Sequence, residues 1–127
     1  ELDHEDRQEI VDVTLAVLND PEFAPLFGPN SRAEVAIAGV EGEFVVSGQI
    51  DRLLVTDESV LIVDYKSDRP APKSVEDVPL FYLKQLAVYR ATLTRIYPTR
   101  PIRCALLWTD GPKLMEVNSR VLSACVS

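Results

Sequence analysis

Apolar positions along the chain change their period several times, and each change predicts an element. Ile10, Val13, Val17 and Leu18 recur at helical spacing and Asn19-Asp20-Pro21 ends the run, so residues 6–18 are expected to be a helix. Residues 21–30, with three prolines and Gly28, read as a loop. Residues 34–38 and 44–55 are rich in β-branched side chains and flank Gly39-Val40-Glu41-Gly42, the pattern of a hairpin. A third strand over residues 60–66 follows the tight Asp57-Glu58 turn. Beyond the loop of residues 67–73, Ser74 and Asp77 have the spacing of a capping box, and Tyr82, Leu86, Tyr89, Leu93 and Ile96 form one stripe of a helix over residues 78–97. Pro98 and Pro101 end it. Residues 103–109 and 114–117 read as two more strands around the Asp110-Gly111-Pro112 turn. Three strands joined by short turns, a long crossover helix and a further strand or two predict an α/β domain with a mixed central sheet of four to five strands flanked by helices.

Composition narrows the class. At 127 residues, 46% hydrophobic and 26% charged, the chain has the size and balance of one globular domain, so residues 1–127 are expected to fold as a unit. No apolar run is long enough to span a membrane and the start, Glu1-Leu2-Asp3-His4, is unlike a signal peptide, so no membrane partner is expected. Cys104 and Cys125 are too few for a zinc knuckle or a disulfide framework, which fits a reducing cytoplasm. The net charge of -7 argues against holding nucleic acid by bulk field. It hides a split, however: residues 1–65 carry 15 acidic and 3 basic side chains, residues 66–127 carry 5 and 10. From Lys84 to Arg103 there are five cations and no acid, a surface that could meet a polyanion or be a solvated helix face.

Candidate chemistry comes from register. If Asp57 and Glu58 are the two loop residues of the second hairpin, Asp51 faces Asp64, and directly opposed like charges are destabilising unless something neutralises them. Lys66 projects on the same face as Asp64, while Val63 and Tyr65 point away. Two carboxylates and one ammonium converge, an arrangement suited to a hard divalent cation with a lysine beside it for phosphodiester chemistry. The alternative is an exposed ladder in which Lys66 only screens two aspartates.

The residues Gly48-Gln49-Ile50-Asp51, then Asp64-Tyr65-Lys66-Ser67-Asp68, then Gln85-Leu86-Ala87-Val88-Tyr89 resemble the GxxD, DYK(T/S)D and QxxxY motifs of RecB-type nucleases in the PD-(D/E)xK, restriction-endonuclease-like superfamily, and most of all the C-terminal nuclease domain of AddA subunits of bacterial AddAB helicase-nucleases. The resemblance implies a restriction-endonuclease-like core. It also implies metal-binding Asp51 and Asp64, a further ligand in the Tyr65 carbonyl, a catalytic Lys66, and an upstream acid, Glu34, assisting the metal or its water. Gln85 and Tyr89, four apart on one helix face, would hold the DNA backbone or the lysine; Arg90, one of the cations between Lys84 and Arg103, is a further substrate-binding candidate on its charge alone. Tyr89 also fits plain core packing.

By the same resemblance the cofactor is Mg2+, with Mn2+ able to replace it. The expected partners are single-stranded DNA, a helicase region of the same full-length chain and a second, AddB-like subunit, in a bacterial cytoplasm. The role would be processing of double-strand breaks for recombinational repair. One departure bears on this. The family carries a metal-binding histidine on a helix upstream of the first strand, whereas His4 lacks that setting, so the chain is expected to be a fragment beginning after it. A non-catalytic DNA-binding or interaction module that keeps the fold is the competing expectation.

Overall fold

In the computed structural model, which describes residues 28–41 and 44–125, five strands form one sheet in sequential order. They are β1 (Ser31–Glu41), β2 (Phe44–Val55), β3 (Val60–Lys66), β4 (Ile102–Trp108) and β5 (Lys113–Val117). β3 and β4 are parallel and every other neighbouring pair is antiparallel. A parallel neighbour cannot be reached by a tight turn. The crossover is made by α1 (Leu80–Ile96), which lies on one face of the sheet, and a short α2 (Ser119–Cys125) packs beside it. This is the mixed sheet with helices that the hydrophobic pattern predicts. The expected helix over residues 6–18, His4 and residues 21–27 lie outside the described residues.

The central strands are apolar on both sides, as parallel strands covered on both faces should be. On β3, Val60 and Ile62 join the core beneath α1, while Leu61 and Val63 pack with Ala105 and Leu107 on the opposite face. Leu83, Leu86, Tyr89 and Leu93 supply the underside of α1. Cys104 and Cys125 are both free thiols. Burial pushes the Cys104 thiol up to about 12, so it is packing material and no nucleophile. Among the described residues no helix is long and apolar enough to cross a membrane.

Three boundaries differ from expectation. β1 begins at Ser31 and reaches Glu41, longer than residues 34–38. The capping box does not form: Ser74 makes no side-chain cap, residues Val75–Asp77 make a single 3-10 turn, and Val78 is extended. Pro79 is the reason, because a residue before proline is driven out of the helical region, so α1 starts after it. The pattern also passed over α2, although Asn118 caps it by accepting the Arg120 N–H at 2.7 Å.

Candidate active site at the open end of the second hairpin

The register expected from the Asp57-Glu58 turn is the one observed. β2 and β3 pair from Val55 opposite Val60 to Arg52 opposite Val63. The next step would set Asp51 against Asp64, and there the ladder stops. Instead of a backbone carbonyl, the Asp51 carboxylate takes the Tyr65 N–H, Oδ2 accepting at 2.8 Å. Because the N–H and C=O of a strand residue point to one edge, the Tyr65 carbonyl opens on the same gap. Asp64 is only 6% exposed. The Lys66 ammonium stands 2.8 Å from its Oδ2 but at an angle that makes no hydrogen bond, so this buried oxygen has no hydrogen-bond partner.

Electrostatics follow from that crowding. Burial, with the neighbouring Asp64 carboxyl adding hydrogen bonding and charge, pushes Asp51 up from 3.8 to about 7. The Tyr65 N–H and Lys66 oppose the shift without cancelling it. The Asp51 carboxyl therefore keeps its proton to near neutrality, and that proton is what a cation would displace.

The α1 side supplies the rest. Lys66 Nζ reaches Gln85 Oε1 at 3.5 Å and lies 4.0 Å from the centre of the Tyr82 ring. The Tyr82 hydroxyl donates to Asp68, 2.9 Å from Oδ1 and 3.2 Å from Oδ2. Gln85 Nε2 donates to the Tyr89 hydroxyl at 3.4 Å. Tyr89 is buried, and it presses on β2 so closely that a Cβ at Gly48 would lie 2.6 Å from its oxygen, which is why that position carries no side chain. Packing and a polar role thus coexist in Tyr89. Burial raises its phenol first, helped by the Asp64 charge, so it stays protonated.

A shift in the pleat assembles this cluster. Ile50 and Leu53 are three apart, which in a regular strand sends them to opposite faces, yet both lie in the core beneath α1. Glu34, in the matching position of β1 between the pairs Ala33–Arg52 and Val35–Ile50, has a left-handed φ of 54°. The irregularity lets Gly48 and Asp51 serve one face, where strict alternation would separate them.

Not every candidate joins. The Glu34 side chain is exposed, and among the described residues no three His, Cys, Asp or Glu side chains come together as a metal group. Arg90 does not join the carboxylates. It is half-buried on another side of α1, where its charge acts on Cys104 and its Nε has no hydrogen-bond partner. Sequence reasoning missed Tyr82 and Asp68. The signal was present: Tyr82 lies one helical turn before Gln85, and Asp68 closes the motif that contains Lys66.

The profile of the PD-(D/E)XK nuclease superfamily matches residues 4–121, and the chain belongs to that superfamily. No curated protein matches it. Among solved structures, a "putative exonuclease" from Eubacterium rectale superposes with a TM-score of 0.65 at 16% identity, over 99% of this chain and 50% of that one. Protein VC1899 from Vibrio cholerae gives a TM-score of 0.46 at 17% identity, over 85% of this chain and 27% of that one. The first of these likenesses is one of fold, and this chain spans about half of that structure's length.

The residues present fit a divalent cation. Asp64 Oδ2 is a buried acceptor lacking a hydrogen bond, the neighbouring Asp51 carboxyl is pushed up to about 7, and strand geometry turns the Tyr65 carbonyl to the same edge as the N–H that Asp51 accepts. Oxygen donors of this kind suit Mg2+ or Mn2+.

Proposed function

We propose that the protein is a Mg2+-dependent nuclease domain that hydrolyses phosphodiester bonds of single-stranded DNA, in the manner of the exonuclease part of an AddA-type helicase-nuclease acting on double-strand breaks for recombinational repair. The observation that carries this reading is the pair of facing aspartates, with a buried Asp64 oxygen that makes no hydrogen bond and has the Lys66 ammonium beside it. Asp51, Asp64 and the Tyr65 carbonyl would hold the metal. When bound, such an ion activates water and neutralises charge on the phosphate. Lys66 donates to the attacking water or to the oxygen on which charge grows, and Gln85 keeps its ammonium directed. Tyr89, through Gln85, ties that arrangement to the core.

Single-stranded substrate is supported by α1's first turns. Phe81 is 73% exposed and lies next to Tyr82, and Lys84 is exposed three residues on, on one helix face. A bare ring offers stacking to an unpaired base and the ammonium offers a phosphate contact. A helicase region of the same polypeptide and an AddB-like second subunit would deliver the strand. A second reading, a non-catalytic DNA-binding module, is favoured by one observation: carboxylates that stop at two among the described residues. Cleavage of a labelled single-stranded oligonucleotide decides. We expect Mg2+-dependent product from wild type and a roughly hundred- to thousandfold slower single-turnover rate for Lys66→Ala with Mn2+ affinity retained. Strand binding without cleavage in either metal would make the module reading correct.

A further inference from the structure

We propose that Tyr82 and Asp68 are positioning residues for Lys66, the Tyr82 ring holding the ammonium and the Asp68 carboxylate fixing the ring. The inference rests on the nuclease reading for its catalytic consequence, but its structural half stands alone.

Lys66 has three neighbours at its tip: Asp64 Oδ2 at 2.8 Å, Gln85 Oε1 at 3.5 Å and the Tyr82 ring centre at 4.0 Å. The aspartate is the strongest in the metal-free protein, and it is the one a divalent cation would compete for. The amide contact is at the outer limit of a hydrogen bond. A side chain with four rotatable bonds, deprived of its ion pair, would swing away unless something else kept it. An aromatic face does so without occupying an N–H in a directed bond, which leaves the ammonium's protons available to a phosphate oxygen or a water. Tyr82 is suited to this because it is itself held. Its ring packs against the buried Trp108 with centroids 6.2 Å apart, and its hydroxyl donates to Asp68. Asp68 lies two residues beyond Lys66, just past the end of β3, so the chain leads directly from the lysine to the group that fixes its ring. This gives the last acid of the Asp64-Tyr65-Lys66-Ser67-Asp68 run a function that neither metal nor substrate requires.

The test compares Tyr82→Phe, which keeps the ring and loses the hydroxyl, with Tyr82→Met, which keeps bulk without a π face, and with Asp68→Asn. The first readout is the NMR shift of the Lys66 ε-methylene protons, tractable because the chain has four lysines. Ring current should move them upfield in wild type and Tyr82→Phe and leave them at the ordinary position in Tyr82→Met. The second is cleavage: kcat should fall roughly ten- to thirtyfold in Tyr82→Met with KM and Mn2+ affinity near wild type, be mostly restored in Tyr82→Phe, and lie between in Asp68→Asn. A Tyr82→Met protein with wild-type kcat, or a Tyr82→Phe protein as slow as Tyr82→Met, would overturn the proposal. A wild type that shows the ring shift but never cleaves would refute the nuclease reading and leave the clamp standing. A wild type without the shift would refute the clamp whatever the activity.

Discussion

The two ends of β3 are built to opposite specifications. From Val60 to Val63 the strand is fully apolar, paired on both sides and buried, and its neighbours Leu53, Cys104 and Leu106 complete the core beneath α1. From Asp64 to Lys66 the pairing to β4 continues, but the ladder to β2 has opened and charged side chains replace aliphatic ones. One end lowers the free energy of the fold by removing apolar area from water. The other raises it: an aspartate driven to about 7 and a buried oxygen with no hydrogen bond are features that stability alone would remove. The aliphatic end thus makes the scaffold against which the strained end can be held, and the two should respond to mutation in different currencies.

The largest expected effect is on the charged end. Asp64→Ala should abolish measurable Mn2+ binding by calorimetry and reduce cleavage by about a thousandfold or more, roughly 4 kcal/mol of transition-state stabilisation, while the thermal midpoint of the metal-free protein stays near wild type. A variant that lost stability and kept metal binding would reverse the assignment of the two ends.

Next comes the aliphatic end. Ile62 is fully buried beneath α1, so Ile62→Ala should cost about 2–5 kcal/mol in urea unfolding, the range for a core isoleucine left as a cavity. Under conditions where the variant is still folded, its metal affinity and rate should match wild type. A selective loss of rate with little loss of stability would show that the two ends are mechanically coupled.

The same contrast explains what could be read from the sequence. The apolar end was legible because hydrophobic period and a two-residue turn fix register, and register alone set Asp51 against Asp64 and Lys66 on one face. The crossover followed from connection lengths, whereas the placing of β4 beside β3 did not. What could not be read depends on contacts between elements far apart in sequence. Tyr82 reaches Lys66 across a loop whose path no periodicity encodes, and Asp68 gains its meaning only from Tyr82. The pleat shift at Glu34 was invisible because alternation is assumed when faces are assigned. The start of α1 was misplaced by giving Ser74 more weight than Pro79.

A smaller effect should appear with pH. The folded protein holds a proton on Asp51 up to about 7 where the unfolded chain releases it near 3.8. A raised carboxyl means that this group's contribution to stability is complete below the unfolded value and is lost as pH rises through the folded one. The metal-free wild type should therefore lose stability relative to Asp51→Asn between about pH 4 and about pH 7, measured by urea unfolding of both proteins. Metal affinity should run the other way, rising from about pH 6 to about pH 8 with close to one proton released at the lower value. Calorimetry in buffers of different ionisation enthalpy counts that proton, and a count of zero throughout would mean that Asp51 does not hold one.

The smallest effect is a control on the comparison itself. Arg103 and Glu116 form an ion pair across β4 and β5, with Arg103 Nη2 2.6 Å from Oε1 and Nε 2.9 Å from Oε2, and both side chains are about half exposed, 48% and 50%. The pair at the strained end, Lys66 with Asp64, has exposures of 15% and 9%. In water the fork-shaped contact is screened, so Glu116→Gln should cost only about 0.2–1 kcal/mol, a cost that shrinks further in high salt. Arg103 holds the Glu116 carboxyl below its ordinary value, so whatever stability it gives is present above the usual carboxylate range and lost in acid, the reverse of Asp51. Metal binding and cleavage should not change at all. If Glu116→Gln instead destabilised the protein as much as Ile62→Ala, charge and not apolar burial would be holding the sheet together, and the strained end of β3 could no longer be explained as a cost borne by the other.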